Sequence, residues 1–207
     1  MCIRDRVLVL SSSDGRVLQE LAGLATGDLF GSTVSAIGDL DGDGRGELIT
    51  TAPLADVGGL DSGAAYVHSS ATGALLLVLP GKSPGSYLSA VGAIGDLDRD
   101  GRVDLGVGAA SEDGPEPGPG TESGSLRLHS GLDGSVIAQH LGPQSRSWYG
   151  AAITGLGDVN GDGTDDLAIG APGHDDEPQW IGRVHVLSGA ALLLGTSPPG
   201  GLVRPPR

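Results

Sequence analysis

The sequence is poor in several features that would otherwise bound its class. Cys2 is the only cysteine in 207 residues, so these residues hold no internal disulfide and no thiolate metal site. Asn160 is the only asparagine and is followed by Gly161 and Asp162, which leaves no acceptor for N-glycosylation. No apolar run approaches the ~18 residues of a helical membrane span. The opening MCIRDRVLVLSSSDG does not read as a secretion signal, because its apolar stretch is short and leads into a repeat unit instead of a cleavage site. Basic residues are also few, 12 Lys and Arg against 26 Asp and Glu, and a net charge of -14 argues against nucleic acid as a partner. Aromatics make up 3% of the chain while glycine reaches 38 residues, a composition suited to short strands and tight turns and ill suited to long helices.

The acidic residues are not scattered. GDLDGDGRGEL begins at Gly38, GDLDRDGRVDL at Gly95 and GDVNGDGTDDL at Gly157, offsets of 57 and 62 residues. Near-copies at regular spacing decide the fold before anything else. The flanks repeat as well. Val34 and Ile37, Val91 and Ile94, and Ile153 and Leu156 precede the loops, and 48–52, 105–109 and 167–171 follow them with the alternation of a half-buried strand.

A second hairpin then recurs, its first strand ending at Ser69, Ser130 or Ser188. Ala65 and Val67, Leu126 and Leu128, and Val184 and Val186 are apolar; the residues between them are mixed, so one face is expected in the core and the other outside it. Gly- or Asp-rich turns follow, as at 71–73 and 132–134, and then another apolar strand. The same hairpin occurs at Arg6 to Leu18, with Val7 and Val9 inward and no loop before it. The expected fold is all-β, made of β-propeller blades of four antiparallel strands: a partial blade at 1–24, blades at 25–79, 80–141 and 142–196, and a tail at 197–207. Propellers close with about 4–8 blades, so this count predicts a piece of a larger propeller.

The loops have the chemistry of calcium sites. Asp39, Asp41 and Asp43 alternate at positions 1, 3 and 5, and Gly42 and Gly44 let the backbone curl until the carboxylates converge. Arg45 offers its carbonyl at position 7 and Glu47 closes the shell at position 9. The second set is Asp96, Asp98, Asp100, Arg102 and Asp104; the third is Asp158, Asn160, Asp162, Thr164 and Asp166. Several hard oxygens suit Ca²⁺, whereas Mg²⁺ keeps more water and Zn²⁺ wants nitrogen or sulfur. Close carboxylates repel by roughly 1–4 kcal/mol per pair at dielectrics of 80 to 20, so a cation is needed to hold them together. An EF-hand is excluded because position 12 is Thr50, Val107 or Ile169, each within a strand.

With these loops in place, the chain resembles the FG-GAP repeat family, best known from the β-propellers of integrin α subunits. Phe30-Gly31 matches the first half of the signature, Tyr149-Gly150 is close, and Tyr87-Leu88 departs from it. Gly170-Ala171-Pro172 matches the second half, with Thr51-Ala52-Pro53 and Gly108-Ala109-Ala110 near it. Glu47 replaces the usual Asp. The resemblance covers about Arg6 to Leu194. It implies about three Ca²⁺ ions in a structural role, and a protein or glycan ligand on the opposite face, where Leu54–Ser62, Ser111–Ser123 and Gly173–Ile181 link strands two and three. The last link holds His174, Asp175, Asp176, Glu177 and Trp180, the tryptophan being either a contact residue or a cap on the core. An extracellular, cell-surface or periplasmic location is expected.

No catalytic set emerges, and the chain is not expected to be an enzyme. His68 and His129 share a strand position held elsewhere by Leu10 and Leu187, and the recurring serines read as turn formers. Three functions remain open: an adhesion or recognition propeller, a non-catalytic propeller attached to a phospholipase-like hydrolase, and a structural spacer.

Overall fold

In the computed structural model, residues 5–113, 121–173, 175–176, 179–180 and 182–194 are described. Strands form where short alternating segments meet turn residues. β1 (Arg6–Leu10) and β2 (Val17–Ala22) pair antiparallel. β3 (Val34–Ala36), β4 (Leu48–Ala52), β5 (Ala64–His68) and β6 (Leu75–Pro80) make a four-stranded antiparallel sheet in chain order. β7 (Ala90–Ala93), β8 (Leu105–Ala109), β9 (Ser125–His129) and β10 (Val136–Leu141) make a second one. In the next unit β11 (Ala152–Gly157) and β12 (Asp166–Ala171) pair with β15 (Arg183–Leu187), while β13 (Asp175–Asp176) and β14 (Gln179–Trp180) form a small ribbon in the link between β12 and β15. β7 contacts both β3 and β11, so the first strands of successive blades lie side by side, as in part of a β-propeller.

Packing between blades explains the burial pattern and corrects one expectation. Ile49, Ala65, Val67 and Leu79 meet Val91, Leu105 and Val107 of the following blade. Leu126 and Leu128 meet Leu167, Ile169 and Leu187 of the one after. The other face of each sheet packs backwards: Ala52, Ala64 and Tyr66 meet Val7, Leu21 and Phe30. The third strands were expected to bury one face only, yet every residue of β5 and β9 is buried, including Tyr66, His68, Arg127 and His129. A strand between two blades has no solvent face, so its polar residues must find partners inside. Arg127 does so by donating to the Pro80 carbonyl (3.0 Å) and lying 3.5 Å from the Glu112 carboxylate, which also accepts from the Ser125 hydroxyl.

Two further expectations change. The third loop-bearing unit has three strands among the described residues, because 189–193 form a short helix, α1 (Gly189–Leu193), where the other blades turn back into a fourth strand. The hairpin turns there are Ala71-Thr72-Gly73 and Leu132-Asp133-Gly134; here Gly189-Ala190-Ala191 offers no such turn, and Ser188 caps the helix by accepting from the Ala191 N–H. The second blade's aromatic motif also shifts by one residue. Gly31 and Gly150 donate to Thr51 and Gly170, and the equivalent donor to Gly108 is Ser89. Leu88, buried like Phe30 and Tyr149, therefore holds the first motif position, and Tyr87 matches the exposed Leu29 and Trp148. His174, Glu177, the Trp180 side chain, the middle of the 111–123 link and the tail 197–207 lie outside the described residues.

Candidate metal centre

The three acidic loops join the first and second strands of their blades, all at one end of the sheets. Their shape follows from short-range hydrogen bonds. In the first, Asp39 accepts from Gly42 N (2.7 Å) through one oxygen and Gly44 N (2.9 Å) through the other, while Asp41 and Asp43 each bond the N–H two residues on, at 3.1 and 2.8 Å. Gly42 and Gly44 adopt φ of 84° and 85°, which side-chain-bearing residues rarely do. The second loop repeats this with Asp96, Asp98 and Asp100, and the third with Asp158, Asn160 and Asp162. In the first loop positions 3 and 5 each spend one carboxylate oxygen on the turn and keep the other, whereas Asn160 of the third spends its single side-chain oxygen there.

Position 9 is the buried anchor. Glu47, Asp104 and Asp166 are 1%, 0% and 1% exposed. Each accepts from the N–H of the residue at position 2: Leu40, Leu97 at 2.7 Å and Val159 at 3.0 Å. Asp104 and Asp166 also accept from Gly131 N (3.1 Å) and Gly189 N (3.2 Å), just past the third strands. These bonds tie loop to hairpin, and the recurring serines reinforce them: Ser130 donates to Asp100 and Ser188 to Asp162, both at 3.1 Å. The serines thus do more than form turns. Their recurrence at the end of each third strand was visible in the sequence, but their contact depends on the sheet bringing β9 and β15 back to the loop end.

Carboxylate oxygens of Asp39, Asp41, Asp43 and Glu47 lie within 4.8 Å of one another, as do those of Asp96, Asp98 and Asp104. Asp100 leans instead towards Ser130. In the third loop Asn160 Nδ2 donates to Asp162 (2.9 Å) and Asp166 (3.3 Å), so an amide lies between the acids. Arg45 is exposed, whereas Arg102 reaches from the second loop to the Asp39 carbonyl (3.3 Å), and Arg99 reaches Gly163 (3.4 Å) and Thr164 (3.5 Å) of the third.

The electrostatics fit a cation. Burial pushes the Asp104 carboxyl up to about 6, against the pull of three N–H bonds. Burial raises Glu47 too, and Asp41, Asp39 and Asp43 add to it. Glu47 Oε1 is buried and has no hydrogen-bond partner. A buried carboxylate facing three others is costly unless positive charge offsets it, and a hard divalent ion accepts all of these oxygens at once.

Residues 30–68 and 149–187 match the FG-GAP repeat. Integrin alpha-5 of Xenopus laevis is 30% identical over 91% of this chain and 19% of its own length. Integrin alpha-10 of Homo sapiens is 31% identical over 76% of this chain and 14% of its own, and human integrin alpha-IIb 33% over 87% and 18%. The chain spans no more than a fifth of these relatives.

Proposed function

Because the chain carries FG-GAP repeats and is similar to integrin α subunits across most of its length, we propose that it is a calcium-stabilised, non-catalytic propeller module of an extracellular or cell-surface adhesion protein. The observation that carries the calcium role is the convergence of four carboxylates, one of them the buried Glu47 with an unpartnered oxygen, in a loop whose turns hold them together. Asp39, Asp41, Asp43 and Glu47 hold one ion, and Asp96, Asp98, Asp104 and Asp100 a second. Asp158, Asn160, Asp162 and Asp166 hold a third once the Asn160 amide gives way. Arg45, Arg102 and Thr164 contribute main-chain carbonyls. The ion acts as a fastening: it neutralises the loop and, through position 9 of the second and third loops, ties the first hairpin of the blade to the second. Calcium should raise the melting temperature and chelation lower it; an unchanged melt across millimolar calcium would refute the assignment.

The partner surface belongs at the other end of the sheets. Leu29, Tyr87 and Trp148 repeat there, all exposed and all with positive φ (60°, 49° and 49°). Bulky residues in that conformation are strained, and strain gathers at functional sites. Glu122 accepts from the Trp148 indole N–H (3.2 Å) and fixes its ring. Exposed, oriented large side chains beside acids suit a protein or glycan ligand. Tyr87→Ser with Trp148→Ser should abolish capture on an array of extracellular proteins and glycans while leaving the calcium-dependent melt in place.

Further blades of a parent chain complete the module. Val184 and Val186, 70% and 43% exposed, are the equivalents of the fully buried Leu126 and Leu128. The face they share with Ala152 and Leu156 is the one that, in the preceding blades, packs on the next sheet.

A further inference from the structure

The first loop is wired differently from its two copies, and the difference extends beyond Glu47. In the second and third blades the N–H of Gly131 or Gly189 bonds the position-9 aspartate. Both glycines are obligatory there: a Cβ would fall on the carbonyl oxygen of Val103 or Asp165, the residue just before that aspartate. The first blade has Ser70 at this place, immediately after the recurring Ser69. A side chain there forbids the same close approach. Consistent with that, Glu47 Oε1, the oxygen that would take this bond, has no partner. The glycine has moved instead to the loop: Gly46 stands where the copies have Val103 and Asp165, and its Cβ position lies 2.6 Å from the Ile37 carbonyl oxygen. The first loop closes against its own leading strand and not against the following hairpin. The extra methylene of Glu47 lets one oxygen still reach Leu40 N.

From this we infer that Glu47 and Ser70 are a matched pair that makes the first loop the tightest of the three cation sites, by releasing a buried carboxylate oxygen from the hairpin to the ion. The inference rests on the calcium reading above. An oxygen that already accepts an N–H bond is a weaker ligand than one that does not, and the Glu47 carboxylate brings an oxygen within 4.8 Å of those of Asp39, Asp41 and Asp43. The comparable loop of the second blade gathers three, and the third has an amide between its acids. Arg102, which reaches the first loop from the next blade, donates to the Asp39 carbonyl and to none of the four carboxylates among the described contacts. The identity of the position-9 acid thus sets the order of filling, and the first loop closes at the lowest calcium concentration.

Backbone amide resonances of Gly44, Gly101 and Gly163, one in each loop, read the three sites separately during a calcium titration of the whole chain. Gly44 should reach its midpoint at a calcium concentration about tenfold below the other two, the worth of one charge-assisted contact. Glu47→Asp should raise the Gly44 midpoint by about tenfold or more, because the shortened carboxylate can no longer serve both Leu40 and the ion. Adding Ser70→Gly to that variant should recover part of the loss, since the hairpin can then approach as it does at Gly131. Glu47→Gln, which keeps the length and the Leu40 bond, should weaken Gly44 alone and so checks the result without shortening the side chain. The inference is overturned if Gly101 or Gly163 fills first, or if Glu47→Asp titrates the same with and without Ser70→Gly. If none of the three glycines responds to calcium, the calcium reading itself falls and takes this inference with it.

Discussion

Replacing Asp104 by Asn offers a quantitative test of how the loops depend on charge. Asp104 is fully buried, and in the ion-free chain its carboxyl is raised from 3.8 to about 6 by that burial. Below pH 3.8 it is protonated folded and unfolded alike. Between 3.8 and about 6 the unfolded chain gives up the proton and the folded chain keeps it, so stability falls as pH rises. Above about 6 the full cost persists, about 3 kcal/mol for a displacement of this size. Buried histidines such as His68, His129 and His140, all lowered by burial, contribute with the opposite sign as pH falls below 6.5. The difference between Asp104→Asn and wild type cancels them, because the amide does not titrate. In protein stripped of calcium, the variant should therefore gain on wild type by about 2.4 kcal/mol from pH 4 to pH 7, or about 5–10 °C in melting temperature for a chain of this size. Saturating calcium should reverse the order at pH 7, since the carboxylate then has a cation to meet. Calorimetric or circular-dichroism melts at the two pH values measure both. A difference that stays flat with pH, or that shrinks towards pH 7, would refute the argument.

Leu126→Ala, which empties a fully buried inter-blade position, should cost about 2–5 kcal/mol, while its exposed equivalent Val184→Ala should cost under about 0.5 kcal/mol in this chain. Equal costs in urea denaturation would mean that the last sheet face is covered. Glu112→Ala leaves Arg127 buried without its carboxylate and should lower stability by about 3–5 kcal/mol; a chemical denaturation midpoint that does not move would show that the pair is not a structural link. Gly124→Ala should destabilise by more than about 1 kcal/mol, because its φ is +79° and a Cβ would meet the Tyr149 backbone; a neutral result would disprove that close approach.

Much of this architecture could be read from the chain because the repeats fix register. The three loops, the strands after them and the serine-ended third strands stand where their spacing put them. What escaped the reading was set by distant packing. Alternation reveals one buried face when the other meets water, and β5 and β9 meet none, so Tyr66, His68, Arg127 and His129 looked external until the neighbouring blades enclosed them. The Leu88-Ser89 register of the second blade was hidden because Tyr87 is the better aromatic match, whereas the backbone bond from Ser89 to Gly108 decides the position. α1 was missed for a local reason: the apolar Ala-Leu run at 190–194 suits a strand as well as a helix, and only the missing hairpin turn separates them. Within the candidate site, the acids were legible and their partners were not. In the sequence Glu47 stands only as a replacement for the usual Asp, and the side chain at Ser70, where the copies have glycine, gives that replacement its reason.

The central claim, three calcium-holding loops that brace their blades, is tested most directly by counting ions on the intact chain. Native mass spectrometry from calcium-containing buffer should show up to three calcium ions per chain. Asp39→Asn, Asp96→Asn and Asp158→Asn should each lower the count by one. A chain that carries no calcium at millimolar concentrations, or variants that retain all the ions of the wild type, would contradict the account.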